Sequence, residues 1–305
     1  ANSSQLEVPP RAGIKTKWVP VFLLAPAVVA LLALTIYPLV AGLRLSLIDF
    51  DLLSTHASGR WNWFANYTEL FTNKEFWNSL RITIEYAVIA VALELIVGFA
   101  LAVLLTQPLF GRGIVRTAIV SAMVMTPVIV GTAWRLMYNP GWGLLTYLLG
   151  KLGIPPQAFL AQTHTVIPAL IAVDVWEWSP LIMLILMAAL QSLPLEPYEA
   201  AQVDGASALQ AFRHITLPLL RPAIAIALLM RSMDCLRTFD TIFAMTGGGP
   251  GTTSQNLSIF SYYQGLEFYH ISSASAVAVL LLIIITVVSN LIVKAFGVEL
   301  WRSQQ

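Results

Sequence analysis

Apolar residues gather into six blocks, at roughly 19–47, 80–106, 114–138, 166–190, 218–245 and 272–296, with polar stretches between them. Each block reaches the ~20 residues that an α-helix needs to cross the hydrocarbon of a bilayer. The pattern predicts an all-α integral membrane protein with six transmembrane helices. Prolines within the blocks, at Pro26, Pro38, Pro127 and Pro180, predict kinks; membrane helices tolerate these where neighbours satisfy the freed carbonyls. The blocks are not uniformly apolar, so a bundle with a polar interior is expected rather than six independent anchors. The polar residues 1–17 and 298–305 read as tails on either side of one membrane domain at 18–297. No internal repeat and no low-complexity tract interrupts this plan.

Composition sharpens the reading. The chain is 57% hydrophobic and 11% charged, against about 25% charged in a soluble domain, so most of its surface is expected to face lipid. The single cysteine, Cys235, excludes a disulfide framework. No Cys/His cluster has the spacing of metal ligands, so no metal or other cofactor is expected in this chain. The first block is too long for a cleaved signal peptide and is read as a retained span.

The distribution of Lys and Arg sets an orientation. Arg11, Lys15, Lys17, Arg112, Arg116, Arg213, Arg221, Lys294 and Arg302 fall on one side, and Arg60, Lys74 and Lys151 on the other. The richer side is expected to be cytoplasmic, and it holds both termini and the polar gap around Glu199. No nucleic-acid partner is expected. On the opposite side, residues 49–78 are rich in aromatics, among them Trp61, Trp63 and Trp77, which suit the level of the lipid headgroups. Residues 140–164 carry an amphipathic Leu-rich stretch, and residues 246–265 open with Thr246-Gly247-Gly248-Gly249-Pro250-Gly251. That glycine run lacks the Lys of a phosphate-binding loop and follows a membrane block, so nucleotide binding there is rejected.

Ionisable groups inside a bilayer are costly unless paired or wetted, and so mark a cavity or a path. The fourth block contains Asp174-Val175-Trp176-Glu177-Trp178. Asp174 and Glu177, three apart, are expected on one helix face. Carboxylates that accept hydroxyl hydrogens, beside flat aromatic rings, suit a polyol; pairing with Arg on other spans is the structural alternative. The fifth block contains Arg231, Asp234, Cys235, Arg237, Thr238 and Asp240. Arg231/Asp234 and Arg237/Asp240 are expected as i, i+3 pairs, with Asp234 and Thr238 on one cavity-lining stripe. Arg44, Arg81 and Arg135 lie near block ends, where snorkelling explains them. His56, His164, His214 and His270 are scattered over loops, and no nucleophile constellation forms, so no catalytic residue is assigned. Two rivals to a driven pore remain: an ion-coupled secondary transporter working through the buried acids, and an intramembrane enzyme on a lipid-linked sugar with Asp174 and Glu177 as acid and base.

The polar gap after the fourth block carries the most specific pattern, Glu199-Ala200-Ala201-Gln202-Val203-Asp204-Gly205-Ala206, running on to Phe212, Ile215, Leu217 and Pro218. Ala-rich turns around a helix-breaking Gly suit a short helix-turn-helix lying across the membrane face, with Asp204 and Gly205 shaping the turn. This pattern resembles the cytoplasmic coupling loop of binding-protein-dependent ABC importers, in the branch of carbohydrate-uptake permeases. Trp18-x-Pro20, Tyr37-Pro38, Pro127, Gly248-Gly249-Pro250 and the spacing of the blocks match as well, and the resemblance covers roughly 18–297.

The resemblance implies the type I importer permease fold in the bacterial cytoplasmic (inner) membrane, working by alternating access. It implies a second homologous permease as partner, two ATPase subunits that carry ATP and Mg, and an extracytoplasmic sugar-binding protein. The coupling loop spans about 191–217, with Glu199, Ala200, Ala201, Asp204 and Gly205 on the family motif. Sugar-contact positions carry over to Asp174, Trp178, Leu181, Arg231, Asp234, Cys235 and Thr238, with Trp176 and Glu177 in the same substrate path. Acids and Cys235 replace amides and aromatics at these positions, which implies a sugar other than maltose. Within the family the chain looks most like the permeases of trehalose importers. Neither rival transporter nor rival enzyme needs a coupling loop.

Overall fold

The computed structural model describes residues 19–50, 59–108 and 110–297. The expected tails at 1–17 and 298–305 lie outside the described residues, as do Trp18, His56, Arg11, Lys15, Lys17 and Arg302. The chain begins with α1 (Val19–Leu31), a π-turn at Leu32–Ile36 and α2 (Tyr37–Leu45). In this π-turn the Tyr37 N–H reaches back to the Leu32 carbonyl, just before Pro38. A proline ring crowds the carbonyl four residues earlier, and a widened turn makes room for it. The same device recurs at Phe212–Thr216, where Leu217 N–H reaches Phe212 O ahead of Pro218. A two-residue ladder, β1 (Ile48–Asp49) with β2 (Arg60–Trp61), closes the loop that follows.

Next come α3 (Ala65–Thr72), α4 (Lys74–Thr106), α5 (Arg112–Val124), α6 (Pro127–Met137), α7 (Leu144–Lys151) and α8 (Val166–Gln191). The 33-residue α4 and the 26-residue α8 form the centre of the bundle. Their closest approach is at Gly98, where an added Cβ would lie 2.8 Å from Ile182 Cβ and 2.9 Å from the Ser179 carbonyl. The absent side chain lets the two backbones meet. Apolar clusters fill in on either side. One gathers Tyr86, Ala90, Leu170, Val173, Ile242 and Ile259; another gathers Ala102, Ile182, Met183, Leu186, Leu220 and Ala227.

The remaining elements are α9 (Glu196–Val203), α10 (Ala208–Ala211), α11 (Leu217–Leu219), α12 (Arg221–Leu236), α13 (Asp240–Thr246), α14 (Leu257–Tyr262), a π-turn at Tyr263–Glu267, and α15 (Ile271–Phe296). Among the described residues, four helices are long and apolar enough to cross a membrane unbroken: Val21–Leu45, Lys74–Thr106, Val166–Gln191 and Ile271–Phe296. The first of these is unburied along its apolar window, a surface that faces lipid or another chain.

Two of the six expected spans are not straight rods. The third breaks between α5 and α6 with a bend of 102°. Met125 and Thr126 are extended, and Pro127 opens α6; the residue before a proline avoids helical geometry. The block at 218–245 is also divided, because α12 stops at Leu236 and α13 starts at Asp240. Its first part pairs instead with the segment before it: Ala208–Leu219 and Arg221–Leu236 meet at 62°. With each bent pair taken as one span the count reaches six. α6 and α13 then pack side by side. A Cβ on Gly131 would lie 2.8 Å from Ala244 Cβ and 2.9 Å from the Thr241 carbonyl. Of the expected proline kinks, Pro180 sits inside an unbroken α8.

Candidate functional site

Three helices meet in a buried knot of charge. Arg231 on α12 is 1% exposed, and Glu94 on α4 is 0% exposed. Arg231 Nε donates to Glu94 Oε2 at 2.6 Å and Nη2 donates to Oε1 at 2.8 Å, a two-pronged pair. Nη2 also donates to Asp174 Oδ2 on α8 at 3.0 Å and to Cys235 Sγ at 3.1 Å. The Cys235 thiol donates to the same Asp174 oxygen at 3.5 Å. The guanidinium lies over the Trp178 ring, 4.8 Å from its centroid, a cation–π contact. Glu94, Asp174 and Cys235 have their donor atoms within 4.8 Å of one another, in metal-site proximity. Arg231 occupies the position of the cation, so the cluster is a cross-link of one guanidinium held between two carboxylates.

The knot forms one wall of a cavity of about 310 Å³ lined by Pro127, Asp174, Trp178, Arg231, Asp234, Arg237, Thr238, Phe239, Asp240 and Thr241. The breaks in the helices make it. The α12–α13 break turns Thr238 and Phe239 inward, and Pro127 stands at the α5–α6 bend. Of the expected substrate-path residues, Asp174, Trp178, Arg231, Asp234 and Thr238 line this cavity together.

Four others do not line it. Cys235 is buried behind Arg231. Leu181 is half-buried elsewhere on α8. Trp176 is 43% exposed and packs edge-on against Trp134 at 5.4 Å. Glu177 is fully buried, and neither carboxylate oxygen has a hydrogen-bond partner among the described residues. Asp174 and Glu177 were expected on one face. A spacing of three leaves them about 60° apart on a helix, enough to place one at the cavity and the other against packed neighbours.

Of the two expected ion pairs, Arg231–Asp234 is present and Arg237–Asp240 is not. Arg231 lies 3.8 Å from Asp234, a weaker contact than those to Glu94 and Asp174. Arg237 Nη2 donates to Asp234 Oδ1 at 2.6 Å rather than pairing with Asp240. The i, i+3 rule holds within a helix, and Arg237 is already outside it, with φ −107 and ψ 5. Glu94 is the principal residue that the sequence reading passed over. It is a lone acid deep inside an apolar block, the signal that marks a paired or functional intramembrane group.

The residues of the Glu199–Gly205 motif form an elbow. α9 ends at Val203, and the turn passes through Gly205 with φ +74, a left-handed conformation open to glycine. Nothing lies within 4 Å of a Cβ added there, so the requirement is conformational. Ser207 caps α10 in a reciprocal box with Gln210. Glu199, Ala200, Asp204 and Gly205 are exposed and Ala201 is half-buried. Leu195, Val203 and Leu209 are also exposed, at 71%, 89% and 74%.

The chain belongs to the family of binding-protein-dependent transport system inner membrane components, which matches residues 15–300. It is a transport subunit rather than an enzyme. It is 38% identical over 279 residues to a probable ABC transporter permease protein of Sinorhizobium fredii, covering 92% of this chain and 90% of that one. It is 39% identical over 221 residues to the trehalose/maltose transport system permease protein MalF of Thermococcus litoralis, covering 72% and 75%. It is 33% identical over 275 residues to the trehalose transport system permease protein SugA of Mycobacterium tuberculosis, covering 90% and 87%. Its fold matches a chain in the crystal structure of a bacterial ABC transporter involved in the import of the acidic polysaccharide alginate, with a TM-score of 0.80, 23% identity and coverage of 93% and 96%.

Proposed function

We propose that the chain is the membrane-spanning permease subunit of an ATP-driven sugar importer in the bacterial inner membrane. Its cargo is a disaccharide such as trehalose, received from an extracytoplasmic binding protein and passed inward by alternating access. The observation that carries this reading is the cavity where Asp174, Asp234, Thr238 and Trp178 converge. It combines hydroxyl acceptors with an aromatic face, the chemistry of a sugar site. Trehalose and maltose in the names of two relatives support the choice of disaccharide.

The elbow at Glu199–Gly205 is the handle for the motor. Leu195, Val203 and Leu209 expose apolar surface on and beside short helices, which suits insertion into a cleft of a partner ATPase that binds ATP and Mg. A packed helix moves as a rigid body, so closure of the ATPase pair swings the segment that leads into α12. A second homologous permease completes the pore, and both termini lie in the cytoplasm with the elbow.

Vesicles reconstituted with this chain, a companion permease, two ATPase subunits and the binding protein test the reading. Trehalose accumulates only when ATP and every subunit are present. Equal accumulation with the ATPase left out would defeat it.

A further inference from the structure

Both guanidiniums on the cavity wall are engaged before a solute arrives. Arg231 is clamped by Glu94 and Asp174, and Arg237 is paired with Asp234. Asp174, Asp234 and Asp240 stand on the wall and Glu94 directly behind it. That is four carboxylates for two guanidiniums, a formal excess of two negative charges. Such a lining offers acceptors to hydroxyl groups. It has no uncompensated guanidinium among the described lining residues, the group best suited to bind a carboxylate or sulfonate. Between low-dielectric walls the imbalance acts strongly on a charged solute.

Glu94 is not among the residues lining the cavity. It acts through Arg231, fixing the guanidinium plane against Trp178 and cancelling its charge from behind. We propose that Glu94 is a positioning residue that sets charge specificity, making this chain's share of the cavity accept uncharged saccharides and reject acidic ones. The inference rests on the sugar-importer reading and goes further. The shared fold leaves the cargo's charge open, since the structural neighbour serves an acidic polysaccharide.

The test is equilibrium binding to the purified full importer without its binding protein, using trehalose and a glucuronic-acid-containing disaccharide as probes. The wild type binds trehalose at least about tenfold more tightly than the acidic probe, as like-charge rejection requires. Glu94→Gln narrows the gap about tenfold by improving the acidic probe, because Arg231 is partly released; Glu94→Asp restores the gap. A gain in binding is not produced by misfolding. Should Glu94→Gln fail to fold, Asp234→Asn releases Arg237, whose side chain is 67% exposed, and narrows the gap in the same way. Equal wild-type affinity for both probes, a gap unchanged in a folded Glu94→Gln, or, where that variant does not fold, a gap unchanged in Asp234→Asn, overturns the proposal even if the vesicles import trehalose. Binding of neither probe by the wild type, together with no ATP-driven uptake of trehalose, defeats the sugar-importer reading and this inference with it.

Discussion

The charge knot and the elbow are built by opposite rules. At the knot every donor of consequence has a partner within the chain, on three different helices, and the side chains of Glu94 and Arg231 are 0% and 1% exposed. At the elbow the helices are short, the ends are satisfied by a capping box and a left-handed glycine, and the large apolar side chains face outward. Internal over-determination suits a wall that must keep one shape around a solute. A surface with its apolar groups unpartnered suits a joint that another chain completes. Removing a side chain therefore damages the two regions differently: stability falls at the first, and communication with a partner fails at the second.

Glu94→Ala gives the largest stability effect. It removes two of the four hydrogen bonds of the buried Arg231 and leaves Asp174 as its remaining close carboxylate; breaking a buried ion pair by removing one partner costs about 3–5 kcal/mol. Thermal unfolding of the purified protein, followed by fluorescence, reads this loss; a change under about 1 kcal/mol would place the two regions on the same footing. Gly205→Pro comes next. It forces φ near −65° where the turn holds +74 and removes the N–H that donates to the Gln202 carbonyl. The ring cannot adopt a positive φ, so the turn itself must rearrange; the change is local, and ATP-driven uptake is lost while membrane insertion continues. Retained uptake in that variant would remove the elbow from the mechanism. Val203→Asp is the sharpest probe, since Val203 is 89% exposed. Stability stays within about 0.5 kcal/mol of wild type, as for other surface changes, while capture of the ATPase subunits in a pull-down drops. Unchanged capture would mean that another surface receives the motor.

Much of this was legible before any coordinates. Six apolar blocks found the membrane-crossing material because hydrocarbon length is a one-dimensional requirement. The helix-turn-helix around Glu199 was legible because glycine and capping chemistry are local. Breaks were harder to see. Pro127 was expected to kink a span, yet it begins a new helix at 102° to the last, since bend size depends on what α6 packs against, here α13. Residues 237–239 carry no glycine or proline, so the end of α12 had no local signature, and the expected Arg237–Asp240 pair fell with it. The fifth block was best read for its charges and worst read for their partners. Arg231 closes its strongest pair with Glu94, 137 residues away in sequence, a distance across which spacing rules are silent.

The bare backbone at Gly98 has a mechanical consequence. With no side chain between them, α4 and α8 are keyed together like two planks notched at the crossing, and neither can slide past the other without lifting off. The Glu94–Arg231–Asp174 tie then rivets α12 to the same assembly. Whatever flexing the pore undergoes is pushed outward to its two elbows of backbone, the 102° corner before Pro127 and the 62° corner before Arg221. On the proposed alternating-access reading, the stiff beam is the middle and these two corners are its hinges.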